Sequence, residues 1–237
     1  MRKKRVAILI SGRGSNMSAL IAAAADPAYP AEVIGVICSH ADASGLENAA
    51  RANIPIRLVA HREHASREAH DEAVRAALGE LGTEIVCLAG YMRLLTPGFV
   101  KAWEGRMINI HPSLLPLFKG TDSHAQALAA GTRIHGCSVH FVTNDVDSGP
   151  IIAQAAVPVF GDDTQDTLAS RVLAAEHKLY PLALALVAEG KVRMSGSKVV
   201  VENVAEAEAR AALFSPAEDW RAEAEAADLE QLARFTP

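Results

Sequence analysis

Hydrophobic residues fall in blocks along this chain, and the blocks are of two kinds. "RVAILIS", "EVIGVICS", "IPIRLVA" and "TEIVCLAG" are short, continuous apolar runs rich in β-branched residues, which predict strands buried on both faces. Between them, "NMSALIAAAA", "SGLENAARAN" and "SREAHDEAVRAALGELG" space their apolar residues as helices do. "TPGFVKAWEG" continues the alternation and leads into a further strand, "RMINIHP". Within that strand, period two puts Met107, Asn109 and His111 on one side and Ile108 and Ile110 on the other.

Strands alternating with helices predict an α/β fold: a doubly wound, mostly parallel, Rossmann-like sheet with helices on both faces and ligands at the carboxyl ends of the strands. After Pro116 the texture changes. "SHAQALAAGT" predicts a short helix, whereas "HGCSVHFVT" and "PIIAQAAVPVF" predict strands joined by the polar turn "NDVDSG". With no helix between them, these two strands are expected to pair as an antiparallel extension of the sheet. A long helix follows over Thr167 to Glu189, with Leu168, Val172, Ala175, Leu179 and Leu182 on one face and Gly190 placed to end it. Beyond Val192, "SKVVVEN" predicts an edge strand. The run from Ser215 predicts an amphipathic helix opened by Ser215, Pro216 and Glu218. The expected division is residues 1–191 as one domain and 192–237 as an extension carrying the edge strand and the helix. Within the domain, 1–105 is expected to bind phosphate and 106–191 to bind the second substrate and carry the catalytic residues.

Composition narrows the classes. At 237 residues, half of them hydrophobic, the chain can bury a full core. A net charge of −5 argues against a general nucleic-acid binder. No apolar run reaches the ~20 residues of a membrane span. Cys38, Cys87 and Cys137 are odd in number and sit in strand-like runs, so they read as reduced core residues of a cytoplasmic protein. His61, His64 and His70 crowd one polar stretch without a completing carboxylate or cysteine pattern, so no metal is expected.

Three loops are candidates for chemistry. "SGRGSN" lies between the first strand and the first helix, where two glycines and the helix amides suit an anion. Met17 stands where a dinucleotide fingerprint needs its third glycine, and the Walker lysine is missing, so a terminal phosphate is the functional reading and a tight turn the alternative. Asn109 and His111 end a strand, and Asp145 and Asp147 lie in a turn that is expected at the same sheet edge. An amide, an imidazole and a carboxylate without a serine or cysteine nucleophile suit direct acyl transfer. Asn109 would hold a carbonyl oxygen, His111 would stabilise the oxyanion, and Asp147 would orient and tune His111. His135 and His140 are expected to pack, and His124 to rim the cleft or not on equal grounds. Glu176 borders the apolar stripe of the long helix, either as a snorkelling edge residue or as a ligand contact.

"ILISGRGSNMSALI", "CLAGYMRLLTPGFV", "MINIHPSLLPLFKG", "GCSVHFVTNDVDSGPIIAQ" and "RVLAAEHKLYP" together resemble the phosphoribosylglycinamide formyltransferases, in order from about Arg5 to about Lys191. The resemblance implies formyl transfer from 10-formyltetrahydrofolate to the amine of glycinamide ribonucleotide in purine synthesis. It assigns catalysis to Asn109, His111 and Asp147, the nucleotide phosphate to Gly14, Ser15 and Asn16, and the glycinamide to Glu176. The folate contacts it implies are Arg67, Met92, Arg93, Leu94, Leu95 and Asn109, with Thr143, Asn144, Asp145, Val146 and Asp147 in the turn. It also implies a cis bond at Leu115-Pro116. The partners are then small molecules, with no nucleic acid and no membrane, and a homodimer is compatible. Asp122 replaces a histidine found in some relatives.

Three rivals share parts of this pattern. A formyltetrahydrofolate hydrolase would carry an N-terminal regulatory domain and a histidine at Pro112, and the sheet here is expected to start at residue 5. A methionyl-tRNA formyltransferase would need a nucleic-acid-binding domain where this tail is short and acidic. A non-catalytic phosphosugar-binding protein would not need all three of Asn109, His111 and Asp147.

Overall fold

The computed structural model describes residues 2–202, and the helix expected from Ser215 lies outside them. Seven strands form one sheet: β1 (Lys4–Ile10), β2 (Ala31–Cys38), β3 (Ile56–Leu58), β4 (Ile85–Leu88), β5 (Met107–His111), β6 (Ile134–Phe141) and β7 (Ile151–Pro158). Their order is β3-β2-β1-β4-β5-β6-β7, with β1 to β5 parallel and β6 and β7 antiparallel. This is the doubly wound, mostly parallel architecture read from the block pattern. The chain winds outward from β1 to β3 and then returns to β4 on the other side of β1. The sheet's switch point therefore lies between the carboxyl ends of β1 and β4, where such folds open a ligand crevice.

Period two along β1 divides the interior into two layers. Val6, Ile8 and Ile10 join one core with Leu168, Val172 and Tyr180, while Ala7 and Leu9 join the other with Val74, Leu78 and Phe99. The first layer is covered by α1 (Ser15–Ala24) and α6 (Gln165–Ala188), the second by α3 (Arg67–Glu80) and α4 (Pro97–Ala102), with α2 (Gly45–Arg51) and α5 (Ser123–Ala129) at the ends. Side chains start several of these helices. Ser66 Oγ accepts the Ala69 N–H at the head of α3, and Thr164 and Thr167 form a reciprocal capping box at the head of α6. Gly190, at φ 73°, follows the end of α6. All three cysteines are free and buried.

Two expectations need correction. The buried face of α6 runs through Leu168, Val172, Glu176, Leu179, Tyr180, Ala183 and Leu184, whereas Leu182 is 54% exposed. A helix of 3.6 residues per turn carries the stripe from 179 and 180 to 183, so Leu182 is rotated off it. "SKVVVEN" does not extend the main sheet. Its strand β9 (Lys198–Val201) pairs with β8 (Val192–Ser195), a strand that the pattern did not reveal, in a separate hairpin turning at Gly196 with φ 58°. Among the described residues no helix is long and apolar enough to cross a membrane.

Candidate active site

The switch point gathers the first loop. Gly14 adopts φ 66°, a conformation that suits glycine, and hands the chain to α1, whose first turn carries Ser15 and Asn16. Gly45 packs so closely that a β-carbon there would lie 2.8 Å from the Gly12 carbonyl oxygen, and its N–H donates to that oxygen at 3.1 Å. Asn16 is buried. Its Nδ2 donates to Glu176 Oε2 at 2.7 Å, and its Oδ1 has no partner among the described residues. Glu176 is only 6% exposed, and burial raises its pKa against the opposing hydrogen bond from Asn16. The carboxylate is therefore no snorkelling edge residue.

Two strands further along, β5 ends at His111 and pairs antiparallel with β6, so that Asn109 faces His140 and His111 faces Ser138. The register of β6 against β7 shifts between Val139 and His140, an irregularity of the kind that re-aims side chains beside sites. The β6–β7 turn brings Asp147 back over the strand end with φ 47°, a left-handed conformation that a branched or bulky residue would avoid. His111 Nδ1 lies 3.2 Å from Asp147 Oδ2, and His111 Nε2 lies 2.9 Å from the Phe118 carbonyl oxygen. Both ring nitrogens thus face oxygens, and both contacts are met when each nitrogen carries a proton. Asp147 Oδ2 also accepts the Gly120 N–H at 3.0 Å, and Oδ1 sits 3.6 Å from His140 Nε2. Burial pushes the Asp147 carboxyl up. The hydrogen bonds from His140 and the Gly120 amide, with the charges of His111 and His140, outweigh that and hold it below the usual range.

His140 was expected only to pack. It is buried, but its Nε2 lies 3.3 Å from Asn109 Nδ2 and its Nδ1 lies 2.9 Å from the Phe141 carbonyl oxygen. His140 Nε2 therefore lies between the Asn109 amide and the Asp147 carboxylate and links the two residues. The pairing of β5 with β6 would have revealed this residue, and nothing short of that register does. His135 is buried, as expected, and burial, with the charge of His124, lowers its pKa to about 4. His124 Nδ1 lies 3.2 Å from His135 Nε2. Burial depresses His124 first and the charge of His111 second, so His124 feels His111 from the side of α5.

The expected folate residues are spread over three elements. Met92, Leu94 and Val146 are exposed apolar side chains, 69%, 63% and 51%, on segments that leave the carboxyl ends of β4 and β6. Thr143 Oγ1 is bonded to the Asp145 carbonyl within the turn that Asn144 shares. Arg67 opens α3 with its side chain 45% exposed and 4.0 Å from Glu68, with no contact to the Asn109, His111 and Asp147 group. The Leu115-Pro116 bond is cis. No group of three or more His, Cys, Asp or Glu that could hold a metal occurs among the described residues.

An α/β sheet with a glycine loop at its switch point and Asn, His and Asp at the neighbouring strand ends agrees with a family of defined sequence. The family model described as formyl transferase matches residues 4–184, and the chain belongs to that family. Within it, the chain is 43% identical over 189 residues to the phosphoribosylglycinamide formyltransferase of Escherichia coli (strain K12), covering 80% of this chain and 89% of that one. It is 52% identical over 193 residues to the trifunctional purine biosynthetic protein adenosine-3 of Bos taurus, covering 81% of this chain and 19% of that protein, so it spans about a fifth of that longer relative. Among solved structures, glycinamide ribonucleotide transformylase 1 from Symbiobacterium toebii superposes with a TM-score of 0.83 at 44% identity, covering 85% of this chain and 95% of that one.

Proposed function

We propose that this chain transfers the formyl group of 10-formyltetrahydrofolate to the amine of glycinamide ribonucleotide, a step of purine biosynthesis, by direct acyl transfer. The observation that carries this reading is the meeting of Asn109, His111 and Asp147: His111 lies 3.2 Å from Asp147, and His140 lies 3.3 Å from Asn109 and 3.6 Å from Asp147. The phosphate of the acceptor sits on Gly14, Ser15 and Asn16, and Glu176, held by Asn16, faces the glycinamide. The donor lies along Met92 to Leu95 and the Thr143 to Asp147 turn, with Arg67 at its outer end.

The amine nitrogen attacks the formyl carbon, and a C–N bond forms as the carbonyl π pair moves onto oxygen. Asn109 Nδ2 donates to that oxygen, and the His111 Nε2–H joins it by exchanging the Phe118 carbonyl for the substrate oxygen, so the charge that develops there meets donors already at hand. Asp147 keeps His111 in register through Nδ1. Collapse of the intermediate breaks the bond to N10, the amine loses a proton, and N10 gains one, with His111 and Asp147 as the relay. Nothing in this sequence needs a covalent enzyme intermediate or a metal.

The test is donor consumption with and without glycinamide ribonucleotide. Loss of donor only in its presence is the expected result, and equal loss in its absence would move the chain to the hydrolase reading. The same reading puts the protein in the cytoplasm beside its small-molecule substrates. A homodimer is checked by sedimentation.

A further inference from the structure

Between β4 and α4 the chain crosses the switch point almost untethered. From Tyr91 to Leu95 no backbone amide or carbonyl bonds to another backbone group among the described residues. Side chains hold the segment instead. Ser11 Oγ accepts the Met92 N–H at 2.9 Å at one end, and just past the other end the buried Asp71 accepts the Thr96 N–H on Oδ2 at 2.7 Å. Along this stretch Tyr91 points inward, Arg93 and Leu95 are half-buried, and Met92 and Leu94 stand outward. A segment whose backbone is bonded only at its ends keeps Met92 and Leu94 at a height set by those bonds and by the packing of Tyr91 and Leu95 beneath.

Ser11 is unusual in that it opens the other loop, "SGRGSN". Its own N–H donates to the Gly90 carbonyl at 3.1 Å, its Oγ pairs with Ser39 Oγ at 2.7 Å, and Ser39 Oγ lies 2.9 Å from His40 Nδ1. A hydroxyl is suited to this place because it accepts from Met92 while donating to Ser39. We infer that Ser11, although it belongs to the acceptor's phosphate loop, is a positioning residue for the formyl donor, because its hydroxyl fixes the Met92 backbone against which the donor lies. This inference rests on the proposed donor path along Met92 to Leu95.

The test is direct binding, with tetrahydrofolate and glycinamide ribonucleotide titrated separately by calorimetry into wild type, Ser11→Ala and Ser39→Ala, each first shown to be folded by its unfolding curve. Loss of one hydrogen bond should weaken tetrahydrofolate binding to Ser11→Ala roughly three- to ten-fold and leave the ribonucleotide within about two-fold. Ser39→Ala breaks the same serine pair but leaves the Met92 N–H its acceptor, so both ligands should bind it within about two-fold of wild type. Unchanged tetrahydrofolate binding to Ser11→Ala overturns the inference, as does an equal loss of both ligands. So does a Ser39→Ala variant that matches Ser11→Ala. Binding does not depend on turnover, so a wild type that binds folate but transfers nothing would remove the proposed reaction and still leave Ser11 judged by these ratios.

Discussion

Gly149 closes the turn that carries Asp147, and replacing it with alanine should cost both stability and turnover for one geometric reason. A β-carbon at this position would lie 1.7 Å from the Phe141 carbonyl oxygen, 2.9 Å from its carbon and 3.3 Å from Thr143 Cγ2. A carbon and an oxygen need roughly 3.2 Å, close to the lower limit of C–H···O contacts, so β6 and the returning chain must separate by about 1.5 Å. The atom in the way is backbone, and it cannot rotate aside as a side chain would. Separation strains the neighbouring Phe141 N–H bond to the Pro150 carbonyl, now 2.9 Å long. Overpacking of this kind costs about 1–3 kcal/mol and a lost ladder bond about 1 kcal/mol more, so Gly149→Ala should be destabilised by about 2–4 kcal/mol. In a chain of this size that lowers Tm by roughly 4–16 °C. Because Asp147 is two residues away and reaches His111 at 3.2 Å, the same displacement should lower kcat well beyond what the unfolded fraction explains. Urea unfolding followed by steady-state kinetics on the folded variant measures both effects. A Gly149→Ala protein within about 0.5 kcal/mol of wild type and with normal kcat would refute the argument, since neither the contact nor its link to Asp147 would then be real.

His111→Ala should lower kcat by about 10²–10⁴-fold with little change in either KM, because the imidazole acts on charge that exists only in the transition state; near-normal turnover would end that assignment. The Asp147 carboxyl is held below its ordinary range by His140, the Gly120 amide and the charge on His111, so its contribution to stability should be complete above that range and lost as pH falls from it through the lower folded value. Asp147→Asn should remove that acid-side loss from unfolding curves, and an unchanged slope would count against the shift. Glu176 has the opposite sign. Its raised pKa makes it favour folding only while protonated, and that favour is lost as pH rises through the folded value. Glu176→Gln keeps an oxygen for Asn16 Nδ2, so it should unfold at the same or a higher temperature at neutral pH while the acceptor KM rises; a less stable variant with an unchanged KM would contradict both halves.

How much of this was legible depended on the distance over which each signal acts. The strands of the parallel half carry their message locally, because a strand covered on both faces must be apolar throughout, as "RVAILI" is, and that needs no knowledge of its neighbours. One end of α6 was similarly local, marked by Gly190, whereas its start, expected at Thr167, lies at Gln165 behind the Thr164 cap. The extent of the stripe was less so, since Ala175 and Leu182 fit a helical repeat nearly as well as Glu176 and Ala183 do. Burying a carboxylate goes against hydrophobicity, and only the partner on α1 makes it tolerable. That partner, Asn16, lies 160 positions away. The β8–β9 hairpin escaped because "VRMS" is half polar and too short to stand apart from a loop.

The same rule separates the parts of the site. Asn109, His111 and Asp147 drew notice because each breaks its surroundings, two as polar residues in an apolar strand and one in a turn beside "SGP". His140 and Ser11 break nothing. A histidine on an alternating strand and a serine at the head of a glycine loop both have ordinary explanations, and each acquires another role only through a neighbour brought in by strand order. For His140 that neighbour is Asn109, opposite it on the antiparallel strand; for Ser11 it is Met92, across the switch point. Residues that touch substrate tend to be chemically conspicuous, whereas residues that position them are conspicuous only in space. If Ser11 governs the donor from within the acceptor's loop, the two loops at the switch point share a hydrogen bond as well as a crevice, and Ser11→Ala should be read first in the affinity for the donor.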